Sequence, residues 1–204
     1  MGKSFAEKSR DEEISRDSAK YILEVVKMAS EFEAFSPSTE VKGNAIQAIV
    51  NGIMRKELAY NILARHGITK IEPDKWYPEQ SWLDAFHEIA TELGDAALYA
   101  IGRALPPLLD LPPGVNSVEE AIEKIDEIYK AHHRGQAGGY KATMTGNRSA
   151  QIISENPRPC AYDMGLLTAF IEHFNGGAPV KIRHEDDMCC RKLHHHDCVY
   201  FVSW

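Results

Sequence analysis

The sequence predicts an α+β fold in which a helical N-terminal half packs on a small antiparallel sheet. Before about residue 135, apolar residues recur mostly at the three- and four-residue steps of amphipathic helices. From about residue 138 the spacing changes to the period of two that is typical of strands. One apolar helical stretch interrupts this second part, so the C-terminal third is predicted as β-β-α-β-β.

Several helices separated by helix-breaking residues are predicted in the N-terminal half. A long amphipathic helix is expected over residues 11–34, where the segment "SPST" ends it. A second helix is expected from about residue 41, and another in "RKELAYNILARHG". The segment "TKIEPDKWYPEQS" is predicted as a loop.

The most apolar region, "SWLDAFHEIATELGDAALYAIGRALPPLL", is expected to form two central helices. Gly94 divides this region, and the pair Pro106 and Pro107 ends it. Ser117 followed three residues later by Glu120 is a capping box, which predicts a helix running to about residue 132.

Strands are predicted on both sides of a late helix. Alternation in "YKATM", a turn at Gly146 and Asn147, and the segment "AQII" predict a hairpin. The segment "CAYDMGLLTAFIEHFNGG" is predicted as a helix that ends at its two glycines. The segments "PVKIRHED" and "CVYFVSW" are the last two predicted strands. We therefore expect residues 1–37 to be an amphipathic helix that acts as a lid or a dimer contact, and residues 38–204 to form one domain.

Composition excludes several classes of function. The net charge of -7 and the sequence pI of about 5.7 argue against a nucleic-acid partner, because phosphate binding needs a concentrated basic surface. No segment approaches the roughly 18 apolar residues of a membrane span, and the N-terminus lacks the apolar run of a signal peptide. We expect a cytoplasmic protein, in which the four cysteines are free thiols or metal ligands.

The segment "DDMCCRKLHHHDCVYFVSW" predicts a metal site. Cys190 and Cys198 are far enough apart for a hairpin to bring them together, and Asp187 offers an oxygen if the strand ends or bulges after it. Cys160 begins a helix, where the helix dipole favours the thiolate form that binds metals. These residues suit a closed tetrahedral zinc site with Zn–S distances of about 2.3 Å. The alternative is that they are buried apolar cysteines.

Neighbouring residues of this segment are assigned other roles. Cys189 is expected to point away from the site. The three histidines at positions 194 to 196 are expected to form an exposed turn, although one of them is an alternative to Asp187 as a ligand.

The pattern of Asp187, Cys190 and Cys198 before an apolar terminal strand resembles the 4-vinyl reductase domain family, which usually has Glu in place of that Asp. The resemblance covers roughly residues 138–204, and the upstream cysteine of that family falls on Cys160. Domains of this family share a fold with heme nitric-oxide-binding domains and with Golgi transport tethering subunits. This resemblance implies a small-molecule sensor domain with a pocket between helices and sheet.

The helical half is similar to the heme nitric-oxide-binding domains in "WLDAFHEIATELGDAALYAIGRALPPLL" and "DEIYK". In those domains a histidine ligates iron from the helix that here reads "EEAIEKIDEIYKAHH". The position that looks equivalent is Tyr129, the Tyr-x-Ser-x-Arg propionate motif is absent, and His132 and His133 follow one turn on.

The pocket between helices and sheet would hold an apolar or aromatic molecule. The residues expected to line it are aromatic, histidine or methionine side chains, each of which is core by default: Trp82, Phe86, Tyr99, Tyr129, His132, His133, Tyr140 and Met144.

Four functions compete at this point. The leading hypothesis is a non-catalytic sensor with structural zinc, whose ligand changes contacts with a signalling protein partner. The second is a sensor of heme or another tetrapyrrole that uses His132 or His133. The third is a reductase or an accessory of tetrapyrrole chemistry, for which the sequence offers no dinucleotide-binding glycines and no nucleophile beside a base, so no catalytic residue is assigned. The fourth is a scaffold with a filled core. The sequence also allows a homodimer.

Overall fold

The computed structural model describes residues 31–185, 190–193 and 195–204. Most of the predicted helix at residues 11–34 lies outside these ranges. Its last four residues are described, and they are not helical. Phe32 has a φ of 68°, which no α-helix accommodates, and its N–H donates to the carbonyl of Pro157 at 2.9 Å. The expected helix therefore does not extend through residue 34.

The described N-terminal half is helical, as predicted. Gly94, with a φ of 77°, separates the two central helices, and Ser117 and Glu120 form both bonds of the capping box. The helix predicted after that box is divided at Lys124. Within the described ranges, no helix is both long and apolar enough to cross a membrane. The helices are α1 (Gly43–Gly52), α2 (Lys56–Arg65), α3 (Glu79–Leu93), α4 (Asp95–Arg103), α5 (Val118–Glu123) and α6 (Ile125–Ala131), with a 3-10 turn at Pro106–Leu108.

A small antiparallel sheet that the sequence did not predict joins the helices. Its order is β2-β1-β3, with β1 (Glu40–Lys42) central between β2 (Trp76–Pro78) and β3 (His133–Arg134). The loop expected at β2 was wrong, and the helix expected from about residue 41 begins at Gly43, because strands of two or three residues are too short to show a period of two. Val41 lies opposite both Tyr77 and His133, so this sheet fixes the end of α6 beside the start of α3.

The C-terminal third has the predicted β-β-α-β-β order. Its four strands are β4 (Gly139–Gly146), β5 (Ser149–Glu155), β6 (Lys181–His184) and β7 (Cys198–Ser203). They form one antiparallel sheet in the order β4-β5-β7-β6. The long helix α7 (Cys160–Phe174) lies between the two hairpins in sequence and is largely buried.

Helix α7 links the helical half to the sheet through a close contact with α4. A Cβ atom at Gly102 would collide with the backbone of α7, and one at Gly165 would collide with the backbone of α4. Glycine at both positions lets the two helix backbones approach closely, so α7 is fixed against the helices on one side. Its first turn, which contains Cys160, is thereby placed beside the start of β7.

Candidate metal centre and buried polar core

Three cysteines predicted as ligands lie together in the structure. Cys160 is the first residue of α7, Cys198 is the first residue of β7, and Cys190 precedes a 3-10 turn at Arg191–Leu193. The Sγ atom of Cys160 lies 3.5 Å from that of Cys190 and 3.2 Å from that of Cys198. All three side chains are buried. Two chain segments distant in sequence therefore meet at one cluster of thiols.

A histidine that sequence reasoning did not propose belongs to the same cluster. His184 ends β6, and its ligand atom and the three sulfur atoms all lie within 4.8 Å of one another. The pairing of His184 with Tyr200 across β6 and β7 sets this position, and the two rings stack at 4.9 Å. Asp187, the expected oxygen ligand, lies outside the described residues, as do Cys189 and His194. His195 and His196 are exposed, as an external turn requires.

The cluster favours a thiolate at Cys198. A hydrogen bond from the thiol of Cys160 lowers the pKa of Cys198 to about 4, and His184 and Arg191 act in the same direction. Burial opposes this effect but does not outweigh it. The same hydrogen bond raises the pKa of Cys160, which retains the shared proton. Thiolate sulfurs with an imidazole are the donors that zinc prefers in closed tetrahedral sites, so the residues present fit a zinc ion.

Arg191, next to Cys190, connects the cysteine cluster to the core. Its side chain is 1% exposed. Its Nη1 donates to the carbonyl of Ser154 at 2.7 Å, and its Nη2 donates to the carbonyl of Arg158 at 2.7 Å. Burial acts to lower the pKa of this guanidinium, but the negative charges of Cys198 and Asp163 outweigh burial and raise it. Arg191 therefore stays charged and holds the cysteine-bearing segment against the strand and loop before α7.

Asp163 is the acceptor at the centre of this buried network. Its Oδ2 accepts from Ser154 Oγ at 2.6 Å and from Arg191 Nη2 at 3.3 Å, and its Oδ1 accepts from Tyr140 Oη at 2.9 Å. The side chain is fully buried, one turn into α7. A second guanidinium, that of Arg158, lies 3.4 Å from Oδ1. One carboxylate thus serves two buried cations.

Arg158 extends the network into the space between the helices and the sheet. Its guanidinium also donates to Tyr140 Oη, and it lies 4.8 Å from the ring centroid of Tyr129 and 5.2 Å from that of Tyr162. Two buried arginines against Asp163 leave one positive charge unbalanced, and a buried charge needs a partner. The thiolate of the cysteine cluster, beside Arg191, supplies that second negative charge. The cysteine cluster and the core are therefore one electrostatic unit.

A small cavity lies where the sequence predicts a pocket. Its volume is about 30 Å³, which is room for roughly two water molecules. Of the predicted lining residues, Tyr129, His132, His133 and Tyr140 border it. Trp82 and Phe86 are buried beside it in an aromatic cluster, whereas Tyr99 and Met144 are half-buried away from it. The remaining lining residues, except Arg158, are apolar: Ala45, Leu105, Leu109, Ile125, Ile128, Leu166 and Phe170.

Burial shifts the pKa values of two titratable groups beside this cavity toward their neutral forms. Glu79, at the start of α3, is fully buried, and burial raises its pKa to about 7. Burial and the charge of Arg158 lower the pKa of His133 to about 3. Glu79 Oε1 lies 3.9 Å from His133 Nε2, and among the residues that the structure describes neither of these atoms has a hydrogen-bond partner. A carboxyl group and a neutral imidazole therefore face each other without a direct bond.

Glu79 should make the stability of the protein depend on pH. Its pKa is higher in the folded state than the usual 4.5, so its contribution to stability is complete below about pH 4.5 and is lost as pH rises through about 7. The change from 4.5 to about 7 corresponds to roughly 3 kcal/mol. We expect Glu79→Gln to gain about 2 kcal/mol over the wild type at pH 8 relative to pH 5. Urea unfolding of both proteins at the two pH values measures this difference.

The exposed Glu57 provides the matched control, because Glu57→Gln removes the same charge from a solvated position. Its difference from the wild type should be the same at both pH values. A Glu79→Gln protein that also showed no pH-dependent difference would contradict a neutral, buried Glu79.

The buried charges and His184 are among the residues that sequence reasoning missed. Arg158 stands two positions before Cys160, and Arg191 directly follows Cys190, so closeness in sequence to a predicted ligand is the signal for both. Asp163 lies in the predicted helix "CAYDMGLLTAFIEHF" as a single acidic residue among apolar ones before its last turn, which is a second such signal. The alternation of "KIRH" predicted a strand, but which face His184 takes depends on pairing with β7.

Comparison with known proteins identifies the fold. No family model matches the sequence, and no curated protein matches it. Solved structures of H-NOX proteins do match. An H-NOX protein from S. oneidensis in the Fe(II)NO ligation state is 18% identical with a TM-score of 0.62, and the match covers 79% of this chain and 98% of that chain. An Fe(II) unliganded H-NOX protein from K. algicida is 13% identical with a TM-score of 0.56, over 79% of this chain and 95% of that chain.

The chain has the H-NOX fold. This confirms the expectation of a fold shared with heme nitric-oxide-binding domains. The identities are low, so the likeness concerns the fold. The resemblance of residues 138–204 to the 4-vinyl reductase domain family is matched by no family model and stays a prediction.

Proposed function

We propose that this chain is a non-catalytic sensor domain of the H-NOX fold, built around a structural zinc centre. The observation that carries the proposal is the cysteine cluster, in which the sulfur atom of Cys160 lies 3.5 Å from that of Cys190 and 3.2 Å from that of Cys198. Thiolates at such distances suit a shared zinc ion. A fourth donor would come from a neighbouring group, with His184 in place among the described residues and Asp187 as the ligand expected from the sequence.

The zinc ion would supply a rigid crosslink between the start of α7 and the start of β7. Arg191 would neutralise the negative charge of the zinc-thiolate group, and its bonds to the carbonyls of Ser154 and Arg158 would carry the position of that group into the core. Arg158 borders the cavity between helices and sheet. A small apolar or aromatic ligand that entered there would displace Arg158 and so disturb the hydrogen-bond network that Arg158 shares with Arg191. This change would alter contacts with a partner protein.

The size of the cavity defines what ligand entry requires. Pockets for drug-sized molecules have volumes of about 300–1,000 Å³, whereas this cavity has about 30 Å³. A ligand larger than a few atoms therefore needs the helices to move away from α7 and β4. This movement is the conformational change that a sensor needs.

Heme binding is the second candidate, and the fold similarity supports it. The S. oneidensis structure is described in an Fe(II)NO ligation state. The interior does not fit a porphyrin, because the cavity is too small and Arg158 fills the space between the rings of Tyr129, Tyr140 and Tyr162. Both ring nitrogens of His132 are also engaged, Nδ1 with the carbonyl of Ile128 and Nε2 with the N–H of Asp110. Heme would require the helices to separate from the sheet, with His133 as the available ligand.

One preparation separates the two candidates. We expect untagged protein expressed with zinc and a heme precursor to contain about one zinc ion per chain by elemental analysis and to show no Soret band. Cys198→Ser should lose the zinc, whereas Cys189→Ser, the control expected to point away from the site, should retain it. A Soret band that disappears in His133→Ala would instead establish the heme candidate. Protein with neither zinc nor heme would contradict both proposals.

A further inference from the structure

A carboxylate from the far end of the chain touches the cysteine cluster. Glu31 Oε1 accepts a hydrogen bond from the backbone N–H of Cys160 at 3.1 Å and lies at the same distance from its Sγ atom. Glu31 precedes Cys160 by 129 residues and belongs to neither hairpin. Sequence reasoning gave this residue no role.

Residues 31–35, which we call the N-terminal strap, hold Glu31 in this position. Phe32 donates its N–H to the carbonyl of Pro157 at 2.9 Å. Gln80, on α3, bonds to the strap through its side-chain amide. Its Nε2 donates to the carbonyl of Phe32 and its Oε1 accepts from the N–H of Ala34, each at 2.9 Å. The strap thus crosses the surface beside the first turn of α7, where Cys160 lies.

The distance from Glu31 to Cys160 matches that of two ligands on one zinc ion. With Zn–S of about 2.3 Å and Zn–O of about 2.0–2.2 Å, tetrahedral ligands lie roughly 3.5 Å apart. The sulfur-to-sulfur distances of 3.2 and 3.5 Å and the sulfur-to-oxygen distance of 3.1 Å are all near this value. Glu31 Oε1 therefore lies at ligand spacing from one of the three thiols, that of Cys160.

When zinc binds, the negative charges of Glu31 and Cys160 determine where the Glu31 carboxylate can lie. Cys160 as a zinc ligand is a thiolate and has no proton to donate to Glu31. A carboxylate 3.1 Å from a thiolate is repelled unless the cation lies between them. Three thiolates and one carboxylate around Zn²⁺ have a net charge of about -2, and the two residues that follow Cys190, Arg191 and Lys192, are positively charged.

We propose that Glu31 is the fourth ligand of the zinc ion held by Cys160, Cys190 and Cys198, and that zinc thereby fastens the N-terminal strap to the domain. This inference rests on the proposed zinc centre and extends it to a new ligand. His184 then acts beside the ion, as the hydrogen-bond partner of Cys198. Zinc would thus add a metal bond to the hydrogen bonds that hold the N-terminal strap to Pro157 and Gln80.

Zinc affinity of the full chain, measured by competition with a chromophoric chelator, tests this inference. We expect Glu31→Gln to weaken zinc binding by roughly 100-fold or more, beyond the 10- to 100-fold that losing an outer hydrogen-bond partner costs. Glu33→Gln, two residues away at an exposed position, removes the same charge and should bind zinc as the wild type does. His184→Gln should fall within the range for an outer partner. Equal affinities of the Glu31→Gln and Glu33→Gln proteins, or tighter binding by Glu31→Gln, would overturn the inference.

Proteolysis gives a second measurement that does not depend on affinity. Lys27 is a trypsin site four residues before Glu31. Saturating zinc should slow cleavage there in the wild type and in Glu33→Gln, but not in Glu31→Gln, and equal protection of all three would contradict the proposed anchor. A wild type that binds no zinc would refute the proposed function itself. A wild type that binds zinc alongside an unaffected Glu31→Gln would refute this inference alone.

Discussion

Removal of zinc should lower the thermal stability of the protein by about 8–16 °C. A ligand present at 1,000 times its dissociation constant stabilises the folded state by about 4 kcal/mol, and for a domain of this length each kcal/mol shifts the melting temperature by roughly 2–4 °C. The physical reason is that zinc joins the start of α7 to the start of β7, and unfolding separates them. Differential scanning calorimetry before and after treatment with a chelator measures the change.

Adding zinc back and testing cysteine variants show whether the change in melting temperature comes from this metal centre. Addition of zinc after chelation should recover the original melting temperature. Cys190→Ser should have the lower melting temperature with or without zinc, whereas Cys189→Ser should respond to chelation as the wild type does. A chelated protein that melts at the original temperature would show that the cysteines are simply buried in the core.

Loss of the charge of Asp163 should destabilise the protein by about 3–5 kcal/mol. Asp163→Asn keeps the size of the side chain but leaves the guanidinium groups of Arg158 and Arg191 without their shared carboxylate in a fully buried position. Breaking a buried pair from one side is costly because the remaining charge stays out of water. Denaturant unfolding of the zinc-loaded protein measures the free energy of unfolding.

A surface ion pair supplies the comparison. Asp95 pairs with Lys192 at 2.8 Å, but both side chains are substantially exposed. Asp95→Asn should therefore cost less than about 1 kcal/mol. If Asp163→Asn cost no more than Asp95→Asn, Asp163 would not be the centre of the buried network, and the route from the metal centre to the cavity would lack its main link.

Sequence patterns predicted the elements that periodicity or a local motif specifies. The change of period near residue 138, the glycine at position 94 and the capping box at Ser117 each specify a local structure, and each was confirmed. The strand at Trp76–Pro78 has only three residues, too few to show a period of two, so the sequence predicts a loop there. Residues 31–34, where the sequence predicts the end of a helix, are not helical, because Phe32 and Ala34 bond to Pro157 and Gln80, which are distant in sequence.

Residue type predicted part of the candidate site, and long-range contacts supplied the rest. Cysteines clustered in sequence suggested Cys190 and Cys198, and the helix start suggested Cys160. The local sequence around Glu31 and His184 gives no sign of the site, and Asp163 is marked only as a single acidic residue in an apolar stretch of helix. They reach the site because of the strap, the β6–β7 pairing and the first turn of α7, and none of these contacts leaves a periodic signal.

The zinc X-ray absorption spectrum of the purified protein tests the central claim most directly, because it reports the atoms bound to the ion. The account predicts three sulfur ligands at about 2.3 Å and one oxygen or nitrogen ligand at about 2.0–2.2 Å. Cys198→Ser protein, if it retains any zinc, should show fewer sulfur neighbours. A wild-type spectrum with only oxygen and nitrogen neighbours would contradict a metal centre at Cys160, Cys190 and Cys198.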